Sequence, residues 1–199
     1  MAESTEQYRQ RILGYLGSRE PRRALAATPK RLARLLSKRS PAELSRRPAA
    51  NKWSVDEIVA HLADAELAFG WRIRSIAATP GVALQWWDEH LWSERLMYAY
   101  LAARETLVTF EAARGANLSL LRRLPAEIYG AAFGVHAKRG RQTLDDFVVM
   151  EAAHDLNHLR QVQALLRRRR SRAKGPTGPP NNRTQRTRPA KTERRGHRR

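Results

Sequence analysis

Apolar residues recur along most of the chain at spacings of three and four positions, the period of an amphipathic helix. A short segment of this kind, TEQYRQRILGYLG, lies near the N-terminus. No stretch shows a convincing period of two, which a half-buried strand requires. The pattern predicts an all-α fold, a four-helix bundle. Its helices are expected at about Pro29–Ser37, Ser54–Ala77, Ala102–Arg123 and Thr143–Arg167.

Local signals mark the starts of three of these helices. Thr28 followed by Pro29 resembles an N-cap with proline at the first helical position. Ser54 with Glu57 three residues later forms a capping-box pattern. Thr143 is the expected N-cap of the last helix, with an acidic residue at its third position.

Charge divides the chain unevenly and suggests its organisation. The chain carries a net charge of +19, and the segment 167–199, with 14 Lys or Arg and one Glu, accounts for +13 of it. This segment is poor in apolar residues and interrupted by Pro and Gly, so it cannot bury enough surface to offset its ordering entropy. We therefore expect an N-terminal helical extension at 1–20, the bundle at 21–168 and a disordered Arg-rich tail at 169–199.

Two absences in the sequence restrict the classes of function. The chain has no cysteine, which excludes disulfides, thiolate metal ligands and a thiol nucleophile of its own. It also has neither a signal-peptide pattern nor an apolar run of about 20 residues. These features predict a soluble, cytoplasmic protein without membrane attachment.

The segment HDLNHLRQV places two of the six histidines, His154 and His158, four positions apart on the predicted last helix. Residues so spaced lie on one helix face and can bind the same metal ion. The stripe that contains them is apolar at its ends and polar in its middle, as for a site facing the interior of a bundle. A hydrogen-bonded core histidine or a stripe at the solvent edge is the structural alternative for such a pair. The stripe comprises Phe147, Glu151, His154, His158, Gln161 and Leu165.

A third histidine, His61, lies against the core face of the helix that begins after Ser54. A single histidine at such a position is commonly structural. Together with the pair on a facing helix, however, it would complete a facial set of three nitrogen ligands. Such a set suits Zn²⁺, Ni²⁺ or Fe²⁺ and leaves coordination positions open for water or substrate.

The motif WSVDEIVAHLADAE is followed about ninety residues later by HDLNHLRQV. Both resemble motifs of the DinB-like (DinB/YfiT) superfamily of metal-binding four-helix bundle proteins, and the resemblance extends over roughly residues 20–168. It implies that His61, His154 and His158 are metal ligands. It also implies metal-dependent hydrolysis, or transfer and isomerisation reactions that use a low-molecular-weight thiol. Since the chain lacks cysteine, such a thiol would be a cosubstrate.

Further residues are candidates for supporting roles. Asp64 and Gln161 could orient the ligand imidazoles, and Glu151 could act as a base near the metal; a surface or capping role is the alternative for each. His90 and His136 are expected in loops, exposed and without a metal role. The connection 79–94 is expected to cover the site with Trp86, Trp87 and Trp92, although core packing would explain these tryptophans equally well.

Three hypotheses about function follow from the sequence. The first is a metal-dependent enzyme, a hydrolase or a thiol-dependent transferase, that acts on a small molecule. The second is a helical scaffold that binds nucleic acid nonspecifically through its basic tail. The third is a non-catalytic bundle whose metal serves stability or homodimer formation.

Overall fold

The computed structural model describes residues 3–173, and these form a bundle of four long helices with short connecting elements. The all-α bundle predicted from the sequence is confirmed. None of the described helices is both long and apolar enough to cross a membrane. The helices, in chain order, are α1 (Thr5–Leu16), α2 (Pro21–Leu36), α3 (Pro41–Leu44), α4 (Val55–Ala78), α5 (Glu89–Arg95), α6 (Ala103–Arg123), α7 (Ile128–Ala131) and α8 (Leu144–Ala173), and a 3-10 turn spans Tyr98–Tyr100.

The core lies between α2, α4, α6 and α8, and α1 extends it along α8. Buried leucine, isoleucine, valine and phenylalanine side chains from all four bundle helices form one continuous cluster. Ile12 and Leu16 of α1 belong to the same cluster and are almost fully buried. Burial of this apolar surface supplies the main driving force for packing the helices.

The predicted helix starts at Ser54 and Thr143 are confirmed by their caps. The Ser54 hydroxyl accepts the Glu57 N–H, and the Glu57 carboxylate accepts the Ser54 N–H at 2.9 Å. Thr143 and Asp146 form the corresponding pair of bonds at the start of α8. At its other end α8 reaches Ala173 rather than Arg167, and the rest of the predicted tail, 174–199, lies outside the described residues.

The expected helix start at Pro29 is wrong, because Pro29 lies inside the continuous helix α2. Proline has no N–H, so the carbonyl four residues earlier, that of Leu25, receives no helical hydrogen bond from it. The Leu25 carbonyl instead accepts a hydrogen bond from Arg114 Nη1 at 2.8 Å. A tertiary contact thus satisfies the acceptor that the proline leaves free.

Arg114 also ties three bundle helices together through buried ion pairs. Its guanidinium donates to Glu66 Oε2 of α4 at 2.6 Å and to Asp155 Oδ2 of α8 at 2.6 Å. All three charged side chains are at most 2% exposed. Because each charge is paired and hydrogen-bonded, the network is compatible with a dry core, and removing one partner would leave a charge buried.

The structure contains a small sheet that the sequence analysis did not predict. β1 (Val82–Leu84) pairs in parallel with β2 (Phe133–His136), and β2 pairs antiparallel with β3 (Gly140–Thr143). Each strand has only three or four residues, too few to establish a period of two. Gly134 allows the close approach of β1, since a Cβ there would lie 2.6 Å from Leu84 Cδ1. The sheet closes one side of the bundle beside α4 and α8.

Candidate metal centre

Three histidine rings from two helices converge inside the bundle. His61 is on α4, and His154 and His158 are one turn apart on α8. The Nε2 atom of His154 lies 3.0 Å from Nε2 of His61 and 3.0 Å from Nε2 of His158. His61 and His158 are buried, while His154 is partly exposed. The structure therefore brings together the three histidines that the sequence analysis selected, with the Nε2 atoms of His61 and His158 both next to Nε2 of His154.

Hydrogen bonding alone does not account for this convergence. His158 Nδ1 lies 2.9 Å from Gln161 Oε1, so it is the nitrogen that donates, and its Nε2 carries a lone pair. One proton on His154 Nε2 can be directed to only one of its two neighbours. Within the described residues, the Nδ1 atoms of His61 and His154 also lack hydrogen-bond partners. A shared cation would satisfy all three Nε2 lone pairs at once.

The environment keeps the three imidazoles in the neutral form that metal ions require. Burial lowers the pKa of His158 to about 3, with a further contribution from His154. Burial also lowers the pKa of His154 to about 4, helped by the positive charges of Arg114 and Arg139. The pKa of His61 is lowered well below its ordinary value by burial and by the other two histidines.

The spacing of the nitrogens also fits one ion. Imidazole nitrogens bind zinc at about 2.0–2.1 Å, so two nitrogens on one ion are about 3.0 Å apart at a right angle and about 3.4 Å apart at the tetrahedral angle that zinc prefers. The two Nε2–Nε2 separations of 3.0 Å lie at the short end of this range. Glu151, His154 and Asp155 form a second group of neighbouring donors, but Arg114 already occupies the Asp155 carboxylate. The histidine triad is the better candidate.

Aromatic rings enclose the His61 side of the triad. The His61 ring centroid lies 4.9 Å from that of Trp53 and 5.8 Å from that of Trp87. Trp92 packs on Trp87 at 4.4 Å. The expected position of the connection 79–94 beside the histidines is thus found in the structure, with part of it forming β1 and α5. Trp53, which precedes the Ser54 cap, is a contact that the sequence analysis missed.

A cavity of about 810 Å³ reaches the triad at His154. It is bordered by α1, α4, α8, the segment before α5 and the β2–β3 hairpin. Its wall includes aromatic rings, a carboxylate close to His154 and several cationic side chains. The residues that line it include Glu6, Arg9, Phe69, Arg72, Trp86, Trp87, Glu89, His136, Lys138, Arg139, Arg141, Gln142, Asp146, Phe147, Glu151 and His154.

Two of the three proposed supporting residues lie beside the triad. Gln161 contacts His158 as described, and Glu151 Oε1 lies 3.9 Å from His154 Nδ1, too far for a direct hydrogen bond. Asp64, in contrast, accepts a hydrogen bond from the Tyr98 hydroxyl at 2.6 Å and bonds to none of the described histidines. The geometry therefore does not support orientation of an imidazole by Asp64.

The two remaining histidines of the described region differ from their expected loop positions. His90 lies on α5, is exposed, and its ring centroid is 5.7 Å from that of Trp53. His136 lies on β2 and is only 4% exposed, so the expectation of an exposed loop residue is wrong for it. The sheet buries His136 at the cavity wall. The strands are too short to be recognised from the sequence, so this burial was not predicted.

Fold and site together define a helical bundle with an internal three-histidine centre, and comparison with known proteins agrees. The model of the DinB superfamily matches residues 24–162, and the chain belongs to this superfamily. Among solved structures it is similar to YfiT from Bacillus subtilis, which is described as a probable metal-dependent hydrolase with an unusual four-helix bundle topology. The TM-score is 0.69 at 21% identity, covering 84% of this chain and 90% of that chain. No curated protein matches the sequence.

Proposed function

We propose that the protein is a metal-dependent hydrolase of a small molecule, with a divalent ion held by His61, His154 and His158. The observation that carries this proposal is the convergence of three neutral Nε2 atoms, two of them 3.0 Å from the third. The description of the similar YfiT structure supports the same reaction class. A divalent ion bound to three histidines lowers the pKa of bound water and polarises a substrate carbonyl.

We expect a residue of the cavity wall, Glu151, to supply a proton in the reaction. Glu151 lies on the cavity wall beside His154. Burial raises the pKa of Glu151 well above its ordinary value, and the negative charges of Glu66 and Asp155 add to the rise. A carboxyl group with a raised pKa can hold a proton near neutral pH and give it to a leaving group. The aromatic wall at Trp53 and Trp87 excludes water from the His61 side.

Metal analysis of the full chain, purified without a histidine tag, tests the ligand assignment. We expect one divalent ion per chain and a strong loss of metal in the His154→Ala/His158→Ala variant. His90→Ala is the matched control, since it removes an exposed histidine outside the triad and should keep full occupancy. Stoichiometric metal in the double variant would refute the assignment.

Activity assays then test the reaction class. The metal-loaded protein should hydrolyse members of an ester and amide panel, and the double variant should not. The same panel repeated with low-molecular-weight thiols separates hydrolysis from thiol transfer, because the chain has no cysteine and any thiol must be supplied. Turnover that depends on the thiol, with none in water, would favour the transferase.

A second proposed function concerns the basic tail, 169–199. The observation that favours it is the charge of +13 carried by 167–199 out of +19 for the chain. Such a segment binds polyanions by releasing their counterions, and it offers no aromatic residues for reading bases. We propose nonspecific nucleic-acid binding as an activity separate from the metal centre.

A further inference from the structure

The cavity wall includes cationic side chains that form no direct ion pair with a described carboxylate. Arg72 of α4 and Lys138 and Arg139 of the β2–β3 hairpin all border the cavity. None of the three forms an ion pair with an acidic side chain of the described region. Arg72 is half-buried, whereas Lys138 and Arg139 are exposed, so all three can present a cationic group to a ligand that enters the cavity.

Two of these cations border the same aromatic ring. The guanidinium carbon of Arg72 lies 6.0 Å from the Phe147 ring centroid, and that of Arg139 lies 5.9 Å from it. Arg72 uses Nη2 to donate to the Gln85 carbonyl at 2.6 Å, which anchors one edge of its guanidinium. Arg139 makes no side-chain hydrogen bond to a described residue. N–H donors of the Arg72 and Arg139 guanidinium groups are therefore available to a ligand.

Four acidic residues, Glu6, Glu89, Asp146 and Glu151, also border the cavity, and none of them forms an ion pair with Arg72 or Arg139 among the described residues. Glu6 lies 3.6 Å from Arg9, and Asp146 accepts the hydrogen bonds that cap α8 at Thr143. Glu151 Oε1 is 3.9 Å from Arg114 Nη2 and from His154 Nδ1, and it forms no ion pair with Arg72 or Arg139. The wall therefore carries five cationic and four acidic side chains, a formal excess of one positive charge.

Uncharged polar groups complete the same wall. Gln142 of β3 is 7% exposed, and its Oε1 atom has no hydrogen-bond partner among the described residues. Since amide oxygen and nitrogen exchange places by a flip, this side chain can present a donor to a ligand. His136 accepts a hydrogen bond from the Lys138 N–H at 3.1 Å, which fixes its ring beside the cations. A buried amide without a partner indicates that a polar group belongs next to it.

We propose that Arg72 and Arg139 form a subsite that binds the oxyanion group, a carboxylate or a phosphate, of a small-molecule ligand. Arginine is suited to this role because its planar fork of donors matches an oxyanion in two-point contact. The subsite shares its cavity with His154, so a bound molecule would extend from the arginines towards the triad. The inference deepens the proposed function by naming the substrate class, an anionic small molecule.

Calorimetric titration of the full chain at low ionic strength, after removal of metal with a chelator, tests the subsite. The probes are succinate and inorganic phosphate, with succinamide as the uncharged counterpart. We expect one of the two anions to bind and succinamide to bind far more weakly. Arg72→Gln and Arg139→Gln should each weaken anion binding at least about tenfold, because each removes a charge-assisted contact. Arg34→Gln, an exposed arginine of α2, is the control with the same charge change and should bind as the native protein does.

The outcomes separate this inference from the proposed function. Unchanged anion binding in both cavity variants, or no binding of either anion by the native protein, would overturn the subsite. Succinate binding alone identifies a carboxylate site, and phosphate binding alone identifies a phosphate site. Because the metal has been removed, failure of the metal proposal would leave the titration unaffected. Helicity measured for each variant excludes unfolding as the cause of a loss.

Discussion

At the scale of single residues, the orientation of His158 depends on one neighbour. Gln161 follows it by three positions on α8, and its Oε1 atom lies 2.9 Å from His158 Nδ1. This bond assigns the Nδ1 proton and leaves the Nε2 lone pair facing the other two histidines. Partners of this kind hold a ligand imidazole in the rotamer and tautomer that bind metal.

Replacing Gln161 should therefore weaken metal binding without removing a ligand. We expect Gln161→Ala to raise the dissociation constant for Zn²⁺ roughly tenfold, the lower end of effects seen for such partners. Gln161→Glu, which keeps an acceptor, should lose less. Competition with a chromophoric chelator measures the constants. Gln163→Ala is the matched control, because the only side-chain hydrogen bond of Gln163 among the described residues is with Arg167 on the same helix. Equal Zn²⁺ affinities for all variants would contradict a role of Gln161 in orienting His158.

Helical spacing in the sequence was enough to predict which residues on the long helices meet. It was not enough to predict contacts that depend on the path of a loop. His61, His154 and His158 converge because each lies on the inner face of a long helix. Arg72 continues the stripe of His61 and Phe69 by three positions, so its place at the cavity was open to prediction but missed. Asp64 instead accepts a hydrogen bond from Tyr98, which belongs to a connection whose path helical periodicity does not reveal.

At the scale of helices, the contact between α4 and α6 depends on Gly70. A Cβ at this position would lie 2.6 Å from Asn117 Oδ1 and 2.7 Å from Asn117 Nδ2. Asn117 is buried and donates to Glu66 Oε1 at 2.8 Å, while its Oδ1 accepts from Arg74 at 2.7 Å. Any side chain at Gly70 would push Asn117 away from these partners.

Gly70→Ala should consequently destabilise the bundle, although alanine is the better helix former. We expect a loss of about 1–3 kcal/mol, the usual cost of overpacking a fixed core. Gly115→Ala on α6 is the opposite case, because no atom lies within 4 Å of a Cβ there. That variant should gain about 0.5–1 kcal/mol from the reduced entropy cost of folding. Urea unfolding of both variants measures the difference, and a stabilised Gly70→Ala would contradict the close packing.

Helix boundaries were predictable where local chemistry sets them. The caps at Ser54 and Thr143 use residues three positions apart, and both starts are found where expected. At Pro29 the local signal was misleading, because the helix continues through the proline. The Leu25 carbonyl that Pro29 leaves free accepts a hydrogen bond from Arg114, which is 89 residues away along the chain. The three short strands form through pairing between distant segments, which a local pattern cannot specify.

At the scale of the whole molecule, the charge is divided between two parts with different chemistry. The bundle contains the histidine triad and an arginine-lined cavity, whereas most of the net charge of +19 lies in the tail. The proposed substrate is a small anion, and the proposed partner of the tail is a polyanion. The two proposed activities should therefore be separable by truncation, since among the described residues the triad and the cavity involve none beyond His158 except the supporting Gln161.

Truncation after Ala173, where α8 ends, removes nine Lys or Arg and one Glu. We expect the full chain to bind duplex DNA with an affinity that falls steeply with salt. For a tail that engages about six phosphates, the slope of log K against log salt would be roughly −5, because each contact releases a condensed counterion. The truncated chain should lose most of this binding while it keeps its metal content and helicity.

The His154→Ala/His158→Ala variant is the reciprocal control, since it should lose metal and bind DNA normally. Full DNA affinity after truncation would assign the binding to the bundle and would weaken the division between a catalytic body and a basic tail.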